Sequence, residues 1–170
     1  TGGIGRDIAR ELAACGANLL LVGRSTERLA DLERELRMNG ADVSHVAADV
    51  GQYEGITRVV EAAAGMPGGP ANVLVNNAGI AVVGTVEDTS LADWRATQNV
   101  NLDAVFLGTR EVIKVMKAGG GSIINISSIE GIIGEPTLAA YNASKGGVRI
   151  FTKSVALHCA AEGYPIRVNS

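Results

Sequence analysis

The sequence predicts a doubly wound α/β fold, in which a parallel sheet carries helices on both faces. Two observations support this fold class. Short apolar runs alternate along the chain with longer segments of helical periodicity, as in a series of βαβ units. The apolar runs at 19–22, 73–75 and 123–126 are nearly continuous rather than alternating with polar residues. Parallel strands that are covered on both faces have this pattern, so helices are expected on either side of the sheet.

The elements follow one another in a regular order. Strands are predicted near residues 18–23, 43–48, 72–76, 122–127 and 166–170, and helices near 4–15, 25–38, 53–64, 91–117 and 140–162. Local capping residues support two of these helices. Ser25 can cap the helix that follows it, and Asn39-Gly40 can end that helix in a left-handed turn. Ser90 can cap the long helix from 91.

Composition excludes several classes of function. The chain is 46% hydrophobic and 19% charged, which is typical of a globular protein. Its net charge is −3 and its Lys and Arg residues are scattered, so neither nucleic acid nor an anionic membrane is an expected partner. No apolar run is long enough to cross a bilayer and no leader segment is recognisable, so a cytoplasmic location is expected. The two cysteines lack metal-site or disulfide spacing, and no metal is expected.

No domain boundary is apparent within the chain. The connections at 65–70 and 119–121 are rich in Gly or Pro, and they are short enough to be turns between a helix and a strand. We therefore expect one domain over residues 1–170.

A glycine-rich turn precedes the first predicted helix. Gly2, Gly3 and Gly5 surround a helix start near Ile4. Such a turn lets backbone N–H groups and the positive end of the helix dipole meet a pyrophosphate. The alternative is a purely structural turn, because glycine also serves wherever a positive φ is needed. The βαβ continuation favours a dinucleotide site of the Rossmann type.

The end of the next strand bears on which dinucleotide is bound. NAD-binding folds place an acidic side chain there, which accepts hydrogen bonds from the ribose 2′-hydroxyl. This chain has Gly23 at that point, followed by Arg24. A guanidinium suits a 2′-phosphate, so NADP is expected in preference to NAD. The alternative is that Arg24 is simply a solvated residue at a helix entrance.

Further motifs follow the glycine turn in order. They are Asp49-Val50, Asn76-Asn77-Ala78-Gly79, Asn101, Ser127-Ser128 and Tyr141-Asn142-Ala143-Ser144-Lys145. Together they resemble the short-chain dehydrogenase/reductase family, and the similarity runs through nearly the whole chain. The Asn-Asn-Ala-Gly string, a serine 13 residues before Tyr141 and the Tyr-x-x-x-Lys spacing are specific in combination, although each alone is not.

The resemblance implies roles for individual positions. Ser128, Tyr141 and Lys145 would be catalytic, with Asn101 as the fourth member, and Ser128 and Tyr141 would also bind the substrate. The residues implied in cofactor binding are Gly2, Gly3, Ile4, Gly5, Arg24, Asp49, Val50, Asn77, Ala78, Gly79, Tyr141 and Lys145. Asp49 and Val50 would flank the adenine, and Arg24 would match the arginine of NADP-preferring members.

The start of the chain departs from the family pattern. The family has Thr-Gly, three variable residues and then Gly-x-Gly, whereas this chain reads Thr1-Gly2-Gly3-Ile4-Gly5. We expect three loop residues to be missing from the sequence, which would make Thr1 the end of a preceding strand. The family also continues beyond Ser170 with a further strand and a substrate lid. The chain is therefore expected to be an incomplete copy.

The spacing of the catalytic candidates explains the chemistry. Tyr141 and Lys145 are four residues apart, so on a helix they lie one turn apart on the same face. An ammonium beside a phenol favours the phenolate, which suits proton transfer. Ser128 follows an apolar strand and would hold the substrate oxygen at the carboxyl edge of the sheet. Asn101 could bind a water that links Lys145 to solvent.

Two function hypotheses follow. The first is an oxidoreductase that transfers a hydride between NADP(H), or NAD(H), and a ketone or secondary alcohol, with Tyr141 as the acid/base. The second is a non-catalytic dinucleotide-binding regulatory protein on the same fold, motivated by the shortened glycine turn.

Three further expectations concern packing, assembly and the substrate pocket. The helix-interior pair Gly146-Gly147 implies a close approach to the helix backbone. The family resemblance implies a homotetramer built on the helices at 91–117 and 140–162, where Ala104, Gly108, Ala156 and Ala160 would offer small faces. The apolar stretch between Ser128 and Ala140 is expected to form one wall of the substrate pocket.

Overall fold

A computed structural model describes residues 2–170, so the prediction that Thr1 ends a strand lies outside the described residues. The chain divides into an N-terminal unit, residues 1–70, and a C-terminal unit, residues 71–170. The N-terminal unit contains α1 (Ile4–Ala14), β1 (Leu19–Gly23), α2 (Thr26–Met38), β2 (Val43–Ala47) and α3 (Tyr53–Ala64). The C-terminal unit contains β3 (Val73–Asn76), α4 (Leu91–Gln98), α5 (Ala104–Met116), β4 (Gly121–Asn125), α6 (Ala139–Ala161) and β5 (Ile166–Asn169).

The N-terminal unit is a parallel pair of strands packed against helices. β1 pairs with β2 from Leu19–Val43 to Gly23–Ala47. Leucines at every third or fourth position of α2 are buried on these strands, as the helical period of the sequence predicts: Leu29, Leu32 and Leu36. Because the two strands are parallel, their carboxyl ends lie at one edge of the pair. Arg24 follows β1 and Asp49 follows β2 at this edge.

The C-terminal unit is a three-stranded parallel sheet in the order β3-β4-β5. Its apolar cluster is formed by Met116 of α5, Ile123 of β4, and Val155 and Cys159 of α6 together with both apolar residues of β5. The register places Asn76 beside Asn125 at the carboxyl edge. The site candidate Ser128 comes shortly after the end of β4 in the chain, and Tyr141 lies near the start of α6.

The strands form two hydrogen-bonded groups and not one continuous sheet. Among residues 2–170, β1 pairs only with β2, and β3 pairs only with β4. All pairings are parallel and helices accompany each group, as the predicted doubly wound class requires. One domain over residues 1–170 stays a prediction.

The predicted helix caps are confirmed. The Ser25 hydroxyl accepts a hydrogen bond from the Arg28 N–H at 3.3 Å, and Ser90 accepts one from the Asp93 N–H at 3.0 Å. The helix α2 ends at Asn39-Gly40, where Gly40 has a φ of 85°.

The long helix predicted at 91–117 is not uniform. A π-helical turn at Asn99–Asp103 separates α4 from α5. Such turns hold one extra residue and occur often at functional sites. Here the turn contains Asn101, whose side chain is fully buried and bonds to backbone outside the helix. A periodicity argument detects the helix but not this local change of winding.

A buried polar network lies beneath the carboxyl edge of the C-terminal sheet. The Asn76 amide donates to Asn125 Oδ1 at 2.8 Å and to Thr109 Oγ1 at 3.3 Å. The Asn125 amide donates to Thr152 Oγ1 at 3.0 Å, and that hydroxyl donates to the Val148 carbonyl at 2.7 Å. The network joins α5, β3, β4 and α6, and every member has a partner.

Within the described residues, no helix combines the length and the apolar character that crossing a membrane requires.

The glycines of α3 provide a sharp test of the N-terminal unit. A Cβ at Gly55 would lie 1.9 Å from the backbone oxygen of Asp49, whereas one at Gly65 would meet its nearest neighbour at 3.6 Å. We expect Gly55→Ala to lower the free energy of unfolding by about 3 kcal/mol, because backbone must move. Gly65→Ala should stay within about 0.5 kcal/mol. Urea denaturation measures both, and equal stabilities of the two variants would contradict the packing described.

Candidate active site

Ser128 lies where the chain leaves β4 at the carboxyl edge. Its backbone is extended, and its hydroxyl accepts a hydrogen bond from the Glu130 N–H at 3.2 Å. The hydroxyl therefore caps a short 3₁₀ turn at Ile129–Gly131. Its own proton is not used in this bond and can be donated to another acceptor.

Tyr141 and Lys145 lie in the first two turns of α6, as the i, i+4 spacing predicts. The Lys145 Nζ atom is 5.7 Å from the centroid of the Tyr141 ring. It also donates a hydrogen bond to the Ile126 carbonyl at 2.6 Å. The lysine head is thus placed between the tyrosine and the end of β4.

Burial has an electrostatic consequence for Lys145. The residue is 4% exposed, and among the described residues it has no carboxylate within ion-pair distance. Loss of hydration lowers the pKa of the Lys145 ammonium below its usual value. A buried charge that is costly to the fold and has only a carbonyl partner is characteristic of a functional site.

Asn101 connects the loop after β3 to α6. Its Oδ1 atom accepts from the Ile80 N–H at 2.8 Å, and its amide donates to the Ile80 carbonyl at 2.9 Å. The same amide donates to Ser144 Oγ at 3.0 Å. Ser144 in turn donates to the Tyr141 carbonyl at 2.7 Å. Asn101 therefore braces the loop against the helix turn that carries Tyr141 and Lys145.

The Asn-Asn-Ala-Gly string divides between two roles. Asn76 belongs to the buried network, whereas Asn77 is half-buried and Ala78 and Gly79 are exposed. A Cβ at Gly79 would lie 3.6 Å from Lys145 Nζ and 3.5 Å from Asn101 Oδ1. The loop backbone therefore passes directly beside the lysine head, and the structure brings four of the predicted positions together: Gly79, Asn101, Tyr141 and Lys145.

Close approach to α6 is confirmed at one of the two paired glycines. A Cβ at Gly147 would lie 2.9 Å from Leu102 Cδ2, so the π-helical turn packs against this glycine. A Cβ at Gly146 would meet only the Gly131 oxygen, at an ordinary 3.8 Å. The close contact in that region comes instead from Gly131, which no sequence pattern distinguishes from the other glycines.

Sequence reasoning also missed Ser144 and the Ile126 carbonyl. Ser144 is fully buried inside the Tyr-x-x-x-Lys motif and lies three residues after Tyr141. That spacing could have indicated a hydroxyl bonding back into the helix turn. Nothing in the sequence marks a backbone carbonyl as the partner of Lys145.

A shallow pocket of about 380 Å³ borders Ser128 in the C-terminal unit. The residues that line it are Ile124, Asn125, Ile126, Ser127, Ser128, Ile129, Ile132, Arg149 and Ser170. Ile132 therefore lines a pocket beside the serine, as expected for the apolar stretch, while Ile133 is 55% exposed. Tyr141 and Lys145 are not part of this lining.

The N-terminal unit carries the predicted phosphate and adenosine positions. Gly3 precedes α1 with a φ of 49° and no side chain caps the helix. A Cβ at Gly2 or Gly3 would meet nothing within 4 Å. Within residues 2–170 the backbone N–H groups of Ile4 and Gly5 in the first turn have no hydrogen-bond partner, which fits an anionic group such as a pyrophosphate.

The ends of β1 and β2 also fit a dinucleotide. Arg24 is exposed directly after β1, and within residues 2–170 it has no hydrogen bond or ion pair. Asp49 follows β2, where one carboxylate oxygen accepts from the Gly51 N–H at 3.0 Å and fixes the turn. Val50 beside it is half-buried. A guanidinium without a partner is the kind of group that a phosphorylated ribose requires. An ordered turn is what an adenine ring requires.

Parallel strands connected through helices, with a glycine turn before a helix, are characteristic of the class of dinucleotide-binding α/β proteins. Within that class, the chain belongs to the short chain dehydrogenase family, whose family model matches residues 1–170.

Named relatives and a solved structure agree with this family. The chain is 46% identical to an NADP-dependent (R)-specific alcohol dehydrogenase of Lentilactobacillus kefiri, over 99% of this chain and 67% of the relative. It is 45% identical to a 3-alpha-(or 20-beta)-hydroxysteroid dehydrogenase of Mycobacterium tuberculosis, over 99% of this chain and 63% of the relative. A short chain dehydrogenase/reductase from Burkholderia phymatum, solved in complex with NAD, matches with a TM-score of 0.94 at 29% identity, over 99% of this chain and 60% of that chain. The chain thus spans about two thirds of the length of the curated relatives.

The lowered pKa of Lys145 predicts a pH dependence of stability. The unfolded chain binds this proton more tightly than the folded chain, so the free energy of unfolding rises as the pH approaches the ordinary lysine value of 10.5. We expect Lys145→Met, which cannot titrate, to lack this part of the rise. Urea denaturation at several values between about pH 7 and pH 10 measures the difference from the unsubstituted protein.

The matched control is Lys153→Met, which removes an exposed lysine from the same helix. Its stability should follow that of the unsubstituted protein at every pH. If Lys145→Met behaved like Lys153→Met, burial of the Lys145 charge would be disproved.

Proposed function

We propose that the protein to which this chain belongs is an oxidoreductase that transfers a hydride between a nicotinamide dinucleotide and a ketone or secondary alcohol. The observation that carries the proposal is the buried Lys145 head, 5.7 Å from the Tyr141 ring and bonded to the end of β4. Similarity to named dehydrogenases favours this enzyme over a non-catalytic dinucleotide-binding protein.

Tyr141 acts as the acid and base. When bound, the nicotinamide dinucleotide supplies or accepts the hydride. In the reduction direction Tyr141 gives its proton to the substrate oxygen, and in the oxidation direction it takes that proton back. Ser128 donates its free hydroxyl proton in a hydrogen bond to the same oxygen and keeps the substrate in place. General acid/base transfer of this kind contributes about 10²–10⁴ in rate.

Lys145 makes the tyrosine competent. Its ammonium has three donors, and the bond to the Ile126 carbonyl uses one of them. The remaining donors are available for a ribose hydroxyl and for the phenolate oxygen. Because the head is shielded from water, its charge acts on Tyr141 through a medium of low dielectric constant. A positive charge held there stabilises the negative charge that develops on the Tyr141 oxygen as its proton leaves.

Asn101 supports the site through position. Its side chain bonds to both backbone groups of Ile80 and to Ser144, and these bonds use both amide protons. A water that links Lys145 to solvent near Asn101 stays a prediction. The role that the contacts favour is to hold Gly79 beside Lys145 and to keep α6 in register with the loop after β3.

Residues for dinucleotide binding are proposed separately in each unit. Backbone N–H groups of the turn at Gly2, Gly3, Ile4 and Gly5 would bind the pyrophosphate, Asp49 and Val50 would flank the adenine, and Asn77, Ala78 and Gly79 would line the path to the nicotinamide. Arg24 would bind a 2′-phosphate, which makes NADP(H) the preferred form. The NADP-dependent relative supports this preference, and the NAD-bound structure is the reason to test it.

A homotetramer through α5 and α6 is the proposed assembly. Two of the four small residues expected at its surface are unavailable, because Ala104 is buried and a Cβ at Gly108 would lie 3.0 Å from Asn76 Oδ1. Ala156 is half-buried and Ala160 is exposed. The apolar residues that α5 and α6 expose are larger: Phe106, Ile150 and Leu157 among them. These side chains support contacts between copies through the two helices. The cytoplasmic location stays a prediction.

Replacing the phenol tests the catalytic assignment. We expect Tyr141→Phe in the full-length chain to lower kcat by about 10²–10⁴, because the proton donor is lost while the ring remains. Dinucleotide binding, followed by fluorescence titration, should be retained. Tyr164→Phe is the control, since Tyr164 packs against His158 at the far end of α6, and it should keep full turnover. Unchanged turnover in Tyr141→Phe would refute the mechanism.

Replacing Arg24 tests the cofactor preference. Arg24→Ala should weaken NADPH binding by about 10- to 100-fold, the usual value of hydrogen bonds to a charged group, and leave NADH binding nearly unchanged. Arg28→Ala, which removes another exposed arginine one turn further on, should change neither. Equal effects of Arg24→Ala on the two dinucleotides would exclude a 2′-phosphate contact.

A further inference from the structure

The backbone of α6 at Lys145 is held by the segment that carries Ser128. The Ser127 hydroxyl donates a hydrogen bond to the Lys145 carbonyl at 3.0 Å. That carbonyl lies inside α6, and its second lone pair can accept a bond from outside the helix. Ser127 is therefore attached to the residue whose head group supports Tyr141.

Gly131 contacts the same peptide from the other end of the 3₁₀ turn. A Cβ at Gly131 would lie 2.7 Å from the Lys145 carbonyl oxygen, 2.8 Å from its carbon and 3.1 Å from the Gly146 nitrogen. Only a glycine allows the two backbones to approach this closely. The segment 127–131 is thus held against α6 at both of its ends.

Lys145 is in turn held at both of its own ends. Its Nζ atom donates to the Ile126 carbonyl at 2.6 Å, while its carbonyl accepts from Ser127, the next residue along. Two consecutive residues just after β4 therefore contact the head and the backbone of the same lysine. Ser128 is the next residue in the chain, so these contacts anchor the backbone that leads into it.

We propose that Ser127 is a positioning residue for the reaction. Together with Gly131 it clasps the Lys145–Gly146 peptide, and this clasp sets the position of Ser128 relative to Tyr141 and Lys145. The inference rests on the proposed function, because the distance between Ser128 and Tyr141 matters only if both act on one substrate oxygen. Ser127 acts through the groups that it holds, because its hydroxyl proton is used in the bond to the Lys145 carbonyl.

The kinetic test compares two Ser→Ala variants of the full-length chain that each lose one backbone hydrogen bond. Ser127→Ala should lower kcat by about 10- to 100-fold, the effect of misplacing a catalytic group, with little change in KM. Ser127→Thr, which keeps the hydroxyl, should restore most of the loss. Ser90→Ala removes the cap of α4 and should lower the free energy of unfolding about as much as Ser127→Ala does. It should leave kcat unchanged.

A double substitution isolates the route of action. If Ser127 acts by placing Ser128, its replacement should change kcat less than about twofold in a Ser128→Ala background, because coupled residues are not additive. Full additivity of the two losses would overturn the proposed route.

A second measurement does not depend on turnover. The amides of Glu130, Gly131 and Ile132 are bonded within the 3₁₀ turn. Hydrogen exchange at these amides should become at least about tenfold faster in Ser127→Ala and stay unchanged in Ser90→Ala. Unchanged exchange in Ser127→Ala would overturn the clasp.

The outcomes separate this inference from the proposed function. If Ser128→Ala and Tyr141→Phe lose turnover while Ser127→Ala behaves like Ser90→Ala, the function stands and the clasp falls. If the unsubstituted protein turns over no ketone or alcohol, the proposed function is wrong. The catalytic role of Ser127 is then wrong as well, whatever the hydrogen-exchange result.

Discussion

The hydrogen bond between the Lys145 ammonium and the Ile126 carbonyl is the interaction on which the candidate site depends. It places a positive charge in the interior of the C-terminal unit with a neutral partner, an arrangement that burial penalises. The surrounding structure compensates for this cost with polar contacts that fix every neighbour of the lysine. Asn101 holds the loop at Gly79, Ser127 holds the lysine backbone, and Ser144 ties the Tyr141 turn to Asn101.

The parallel sheet explains why these groups meet at all. Parallel strands end at the same edge, so the loop after β3 and the segment after β4 emerge side by side. The helix α6 returns across this edge and brings Tyr141 and Lys145 to both. The hydrogen bond between Asn76 and Asn125 lies directly below the site and fixes how far β3 and β4 extend relative to each other. The register of the sheet therefore sets the position of the site.

The sequence predicted the elements well because their signals are local. Apolar runs, the leucine stripe of α2 and the caps at Ser25 and Ser90 each depend on residues within a few positions of one another. The proximity of Tyr141 and Lys145 was also predictable, because residues four apart in a helix lie one turn apart on the same face. Most contacts of the site could not be predicted from the sequence, because Lys145 and Asn101 bond mainly to backbone groups, which any residue could supply. The inward orientation of Ala104 and Gly108 was missed for a related reason: small residues fit a helix contact on either side, and only the observed winding decides which.

The π-helical turn at Asn99–Asp103 has a consequence for how the segment 91–116 can vary. An α-helix advances by about 100° per residue, so loss of the one extra residue would restore regular winding and rotate α4 against α5 by roughly that angle. The buried face that contains Thr97 would then turn away from the face that contains Thr109. A substitution in this segment leaves the relative rotation of the two helices unchanged, whereas a change in its length cannot be absorbed locally. The irregular turn thus keeps the buried faces of α4 and α5 directed at one core.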